Sequence, residues 1–185
     1  MTLLPSDDCI FCAIVAGSAP ASIVYDDADL LAFMDIRPVT PGHLLIIPKR
    51  HAPFLADLDE PTGARMFIVA MRLARALRAS GLPCEGINLF LADGEAAFQE
   101  VFHTHLHVFP RFVGDTFRID ADWSITPSRA ELDEIATQVQ EVMPESTSPL
   151  SCTDDLPGSH PHGPRSEAPA PIEQLGRQLS EADHQ

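Results

Sequence analysis

Apolar residues change their period along this chain, and the changes divide it into elements. Leu30 to Ile36 and His43 to Pro48 are nearly continuous apolar runs of strand length, the second closed by its proline. Ile23 to Asp26 is a shorter run ending at the turn-forming pair Asp26-Asp27. From Thr62, a residue suited to capping, Met66, Ala70, Leu73 and Leu77 recur at helical spacing to about Ser80, with Arg65, Arg72, Arg75 and Arg78 largely off that face. Ile87 to Ala92 and Val101 to Phe109 read as two more strands, joined by Asp93 to Glu100. A short helix over Cys9 to Ala16, capped by Asp7 or Asp8, opens the series. A last helix starts at the capping box Ser128-Arg-Ala-Glu131 and runs to about Met143. The sum predicts an α+β fold with a mainly antiparallel five-stranded sheet, one long helix and short flanking helices.

Composition shifts near Pro144. Residues 144–185 are rich in Pro, Ser, Gly and acidic groups with few large apolar side chains, so they bury too little surface to offset the entropy of ordering. The expectation is one domain over residues 1–143 and a disordered tail that holds His160, His162 and His184, to which no function is assigned.

A net charge of −15 argues against coating a nucleic acid, which needs clustered Lys and Arg to displace counterions, so any phosphate must be held locally. No run approaches the ~20 apolar residues of a membrane-spanning helix, and Met-Thr-Leu-Leu-Pro-Ser-Asp-Asp lacks the basic start and apolar core of a signal peptide. The four cysteines, Cys9 and Cys12 close together with Cys84 and Cys152 far off, form a poor disulfide framework. Together these predict a cytoplasmic protein with no membrane or nucleic-acid partner.

The strongest chemical signal is Val101-Phe-His-Thr-His-Leu-His-Val-Phe-Pro-Arg111. On a strand, side chains alternate, which would align His103, His105 and His107 on one face. A solvated strand face usually mixes Thr, Lys, Glu and Ser, whereas three imidazoles supply titratable nitrogens near neutral pH. Two chemistries use such a row: three ligands to a zinc with an open position, or a nucleophile with a neighbouring proton donor.

The same segment, with Asp35-Ile-Arg-Pro-Val-Thr-Pro-Gly-His-Leu-Leu-Ile-Ile-Pro-Lys-Arg-His51 upstream, resembles the histidine triad (HIT) family over roughly residues 9–118. The resemblance extends to the bacterial diadenosine polyphosphate hydrolase-like branch. It implies a homodimer that attacks the α-phosphorus of a nucleotide and forms a nucleotidyl-histidine, with the helix from Thr62 and the strand from Ile87 as contact elements. The middle histidine, His105, would be the nucleophile, with His107 beside the phosphate and leaving group and His103 completing the catalytic row. Asp35 would accept from the ribose hydroxyls, while Phe33, Ile36, Ile10, Phe11 and Ile14 line the base pocket. The loop Asp93 to Glu100 would offer backbone N–H groups and the Gln99 amide to phosphate. Asn88 and Glu100 complete the implied substrate contacts. Transfer to phosphate or another acceptor, and nucleotide binding with little turnover, are the alternative activities.

Cys9-Ile-Phe-Cys12 has a spacing suited to two corners of a metal tetrahedron. Some HIT proteins resemble this chain in the full set Cys9, Cys12, His51 and His103, which implies a structural zinc that clamps the N-terminal segment to the sheet. Three positions depart from the family pattern. Ala92 stands where many relatives have Asn or Gln, Phe98 where the loop usually has Gly, and Glu100 where Ser or Thr is common. A carboxylate at Glu100 would repel an anionic substrate unless it turned away. His43 sits in a Pro-Gly-His turn, where a structural hydrogen bond is expected.

Overall fold

The computed structural model describes residues 9–144. The chain divides after Trp123 into two compact units. The first carries a five-stranded sheet, every neighbouring pair antiparallel, in the order β1-β2-β3-β5-β4. Its strands are β1 (Ile23–Asp26), β2 (Leu30–Met34), β3 (Leu44–Pro48), β4 (Gly86–Leu91) and β5 (Leu106–Arg111). A short helix α1 (Ile10–Val15) and a long helix α2 (Glu60–Ala79) complete this unit.

Both faces of the central strands are covered, which explains why β2 and β3 read as unbroken apolar runs. Leu30, Ala32, Leu44 and Ile46 pack with Met66, Val69, Ala70, Leu73 and Leu77 of α2. Leu31, Phe33, Leu45 and Ile47 point the other way, onto Cys9, Phe11 and Cys12. Ile46 is fully buried, and Ile46→Ala would cost about 2–5 kcal/mol. Gly42 enters β3 with a φ of +94°, and a Cβ there would lie 3.0–3.2 Å from Leu82, Leu77 and Pro110, so both the conformation and the space require glycine.

Most elements shift by one or two residues from their predicted bounds, the second strand for example ending at Met34 rather than Ile36, and two shifts have a clear physical cause. Helix α2 is capped by Asp59, whose carboxylate accepts the Thr62 N–H at 2.9 Å, so Thr62 is the capped residue rather than the cap. Pro61 is compatible with this earlier start because the first helical turn needs no N–H from it. The fifth strand starts at Leu106, not Val101. Its pairing with β3 ends at Ile46 opposite Leu106. Beyond it, the Pro48 carbonyl is taken by the His103 ring at 2.8 Å, and the Thr104 N–H and hydroxyl both go to the Ala52 carbonyl. One backbone and two side-chain bonds thus replace the ladder before Leu106, and of the three histidines only His107 lies in regular strand.

The second unit carries α3 (Arg129–Val142), capped by Ser128 and Glu131 as its sequence predicts. The predicted disordered tail lies, from residue 145 onward, outside the described residues. Among the described residues, no helix is long and apolar enough to cross a membrane.

Candidate active site and metal cluster

His103, His105 and His107 occupy two different sites. His103 is fully buried and donates from Nε2 to the Pro48 carbonyl; a carbonyl can only accept, so this bond fixes the ring's proton and leaves Nδ1 bare. That Nδ1 lies 3.5 Å from Cys9 Sγ, 3.6 Å from Cys12 Sγ and 3.3 Å from His51 Nδ1, with Cys12 Sγ and His51 Nδ1 3.2 Å apart. Zinc bonds to sulfur and nitrogen imply tetrahedral edges of about 3.6 Å for S···N and about 3.3 Å for N···N. The three separations to His103 match those edges, the Cys12–His51 separation is about 0.4 Å shorter, and Cys9, Cys12, His51 and His103 can together hold a metal ion. Burial keeps His103 unprotonated, bringing it down to about 4 even though its bond to Pro48 opposes the shift.

His105 is tied through the opposite atom. Its Nδ1 donates to the His103 carbonyl at 2.7 Å, so its bare nitrogen is Nε2. The ring lines a cavity of about 740 Å³ together with His107, His43 and Asp35. Phe11 packs edge-on against His105 at 5.2 Å and against Phe33 at 5.6 Å, forming an apolar wall beside it. Burial pushes His105 below the usual imidazole range, opposing its bond to the His103 carbonyl.

His107 stands next, its ring centroid 4.8 Å from that of His105. Its Nδ1 is 2.9 Å from His43 Nε2, a hydrogen bond in which one ring donates to the other. On its far edge, His43 Nδ1 faces the Val39 N–H at 3.3 Å and Asp35 Oδ2 at 3.5 Å, so the bare and the protonated nitrogen both find a partner there. Burial, then repulsion from His105 and His43, brings His107 down to about 4 against the pull of Asp35. Burial lowers His43 as well, again opposed by Asp35. The result is a row of neutral rings, with one bare nitrogen at the cavity and a hydrogen-bonded pair beside it that ends on a carboxylate.

A family model for the HIT domain matches residues 16–114. The chain belongs to the HIT family. It is 48% identical over 111 residues to an uncharacterized HIT-like protein of Mycobacterium tuberculosis, which spans 60% of this chain and 76% of that protein. It is similar to the crystal structure of a zinc-bound histidine triad family protein from Mycobacterium smegmatis, with 46% identity and a TM-score of 0.58 over 74% of this chain and 98% of that one. An adenylylsulfatase of Arabidopsis thaliana is 35% identical over 134 residues, 72% of this chain and 66% of that protein.

Within this HIT domain the cavity gathers Asp35, Phe33, Ile36, Ile10, Phe11, Ile14 and Glu100. Two residues expected at the substrate are turned elsewhere. Gln99 spends its amide nitrogen on the Pro53 and Val101 carbonyls at 2.7 and 3.1 Å, and its oxygen accepts the Gly94 N–H at 2.7 Å, so it braces the loop and cannot donate to phosphate. The N–H groups of Ala97, Phe98 and Gln99 are likewise bonded within the loop. Asn88 accepts from Arg111 at 2.8 Å and is not part of the cavity wall.

The departures from the family pattern acquire physical roles. Phe98 adopts φ 67°, a left-handed conformation natural to glycine, and remains 83% exposed at the cavity. Glu100 does not stand as an isolated repulsive charge, because Arg37 bonds to it at 2.5 Å. Sequence reasoning missed Arg37 and underrated His43. The latter follows from the strand register, which only the structure shows: Leu45 pairs with His107, and His43 is two residues from Leu45, hence on the same face.

Proposed function

We propose that this protein is a nucleotide hydrolase that cleaves at the α-phosphate of dinucleoside polyphosphates or related nucleotide conjugates through a nucleotidyl-histidine on His105. One observation carries the reading: His105 Nδ1 is bonded to the His103 carbonyl, so the ring's lone pair on Nε2 belongs to the cavity-lining side of a neutral imidazole. In the first half-reaction that lone pair forms a bond to the α-phosphorus and the bond to the leaving group breaks. The departing atom takes a proton from the His43–His107 pair, which gains its extra proton when the substrate's anionic charge offsets the effect of burial. Water then attacks the same phosphorus, the P–N bond breaks, a nucleoside monophosphate leaves, and the water's proton returns to the pair. Asp35 serves the ribose hydroxyls, and Phe11, Phe33, Ile10, Ile14 and Ile36 serve the base.

A zinc held by Cys9, Cys12, His51 and His103 is the structural half of the proposal, supported by the tetrahedral edges and by the zinc-bound relative. It would tie α1 to the segment that presents His105. Thiolate ligands need a reducing compartment, which supports a cytoplasmic location. A homodimer is supported by the edge position of β4, which exposes Leu89, and by Phe67, Ile68 and Met71 exposed on α2. Sizing in solution checks it.

The reading is tested by assaying release of nucleoside monophosphate from a panel of dinucleoside polyphosphates and nucleotide phosphoramidates. His105→Ala should abolish turnover of every substrate that the native protein cleaves. Equal rates in the two proteins would remove His105 from the reaction. Products analysed with and without inorganic phosphate separate water from phosphate as the acceptor.

A further inference from the structure

The cavity has a second aromatic wall that the nucleotide reading leaves unused. Phe90 pairs across the sheet with His107, on the same face, and its ring lies 5.9 Å from that histidine while remaining 45% exposed. Phe109, two residues beyond His107 on β5, packs edge-on against His43 at 5.2 Å and against Phe117 at 5.0 Å. Phe90, Phe109 and Phe117 all line the cavity, and all lie on the His107 side. Phe11 and Phe33 form the other wall, on the His105 side.

Phe117 lies beyond β5, in a segment without regular structure, yet it is held by a dense set of bonds. Arg111 grips the buried Asp115 with two parallel bonds, Nε to Oδ2 at 2.6 Å and Nη2 to Oδ1 at 2.7 Å. The same guanidinium donates to the Asn88 side chain at 2.8 Å and to the Phe117 carbonyl at 2.9 Å, and it lies 4.8 Å from the centre of the Phe117 ring. Asp115 in turn accepts the Phe112 and Phe117 N–H groups, each at 3.1 Å. Bidentate arginine–carboxylate pairs of this kind fix geometry. Here the fixed element is a half-buried aromatic ring at the cavity.

We propose that Phe90 and Phe117, with Phe109 behind them, form a leaving-group subsite that takes a planar aromatic group, such as the second nucleobase of a dinucleoside polyphosphate. This rests on the reading of His105 as the nucleophile: the bond that breaks lies between the two walls, so a substrate filling both has a flat group at each end. Aromatic rings accept any base face without reading its edges. Arg111, Asp115 and Asn88 are positioning residues that act through Phe117.

Diadenosine triphosphate and ATP test the subsite, because they share the α-phosphate and the chain of three phosphates and differ by the terminal adenosine. The native protein should prefer the dinucleotide in kcat/KM. Phe117→Ala and Phe90→Ala should each lower the dinucleotide-to-ATP ratio by about tenfold, and Phe117→Trp should preserve it. A purely structural role would lower both activities together and leave the ratio unmoved, which overturns the proposal. Binding of the two nucleotides to His105→Ala protein reads the subsite without turnover. A dinucleotide advantage that disappears on adding Phe117→Ala supports the subsite even if no substrate is cleaved, in which case the hydrolase reading alone fails. Equal affinities for the two nucleotides sink the subsite and leave the hydrolase reading standing.

Discussion

His103 and His105 are the same residue type, two positions apart, and each donates one ring N–H to a backbone carbonyl. They differ in which nitrogen is tied. His103 is held through Nε2 and turns Nδ1 to two thiols and His51, whereas His105 is held through Nδ1 and leaves Nε2 at the cavity. Burial lowers the proton affinity of both, keeping a lone pair bare on Nδ1 of one ring and on Nε2 of the other, the atoms that the proposed function gives to a metal and to phosphorus. The comparison teaches that spacing can bring imidazoles together, but the backbone anchor of each ring decides its chemistry.

The largest effect that separates the two ends is on turnover. His105→Ala should lower kcat by on the order of 10³-fold or more, with a smaller change in the thermal midpoint than loss of a metal ligand, because the proposed nucleophile lines the cavity and is not part of the metal cluster. Cys12→Ser should give the reverse, with a lowered midpoint. At free zinc about 100-fold above its Kd the bound metal contributes about 2.7 kcal/mol, or about 5–10 °C for a chain of this size. Differential scanning fluorimetry with and without a chelator measures it. A midpoint that a chelator leaves unchanged, in protein shown to contain zinc, would contradict the clamp.

His43→Gln sharpens the cavity end. It removes the ring that hydrogen-bonds to His107, so kcat should fall by about 10²-fold, within the range of lost acid–base assistance. The loss should be smaller for substrates whose leaving groups need no proton. A uniform loss across leaving groups would mean that His43 only supports packing.

The last effect is that of pH on stability. Folded His107 titrates at about 4 and an unfolded imidazole at about 6.5, so between those values the unfolded chain binds a proton that the folded cavity refuses. Stability is therefore full above about 6.5 and declines as pH falls from there towards about 4. Thermal midpoints measured from pH 8 to pH 4.5 should follow that course, and His107→Gln should make the acid arm shallower while leaving the part contributed by the other buried histidines, His103, His105 and His43. A midpoint that rises on acidification would reverse the sign.

Much of this was legible in the sequence because local pattern and fold agree. The apolar runs of β2 and β3, the α2 face from Met66 to Leu77 and the Ser128 capping box are short-range signals that the tertiary structure keeps. The Cys9, Cys12, His51 and His103 cluster was legible through the family resemblance. What stayed hidden depends on contacts distant in sequence. Pro48 and Ala52 draw residues 103–104 out of the strand, Asn88 is claimed by Arg111, and Gln99 turns inward to brace its own loop. The Arg37–Glu100 pair spans 63 positions, and neither residue carries a sign of the other.

The most direct measurement is the mass of the protein quenched during turnover of a nucleotide substrate, followed by sequencing of the modified peptide. Added mass equal to one nucleoside monophosphoryl group on His105, absent from His105→Ala and lost on chase with water, is the result this account predicts. Turnover with no adduct at any quench time, or an adduct on His103 or His107, would contradict it.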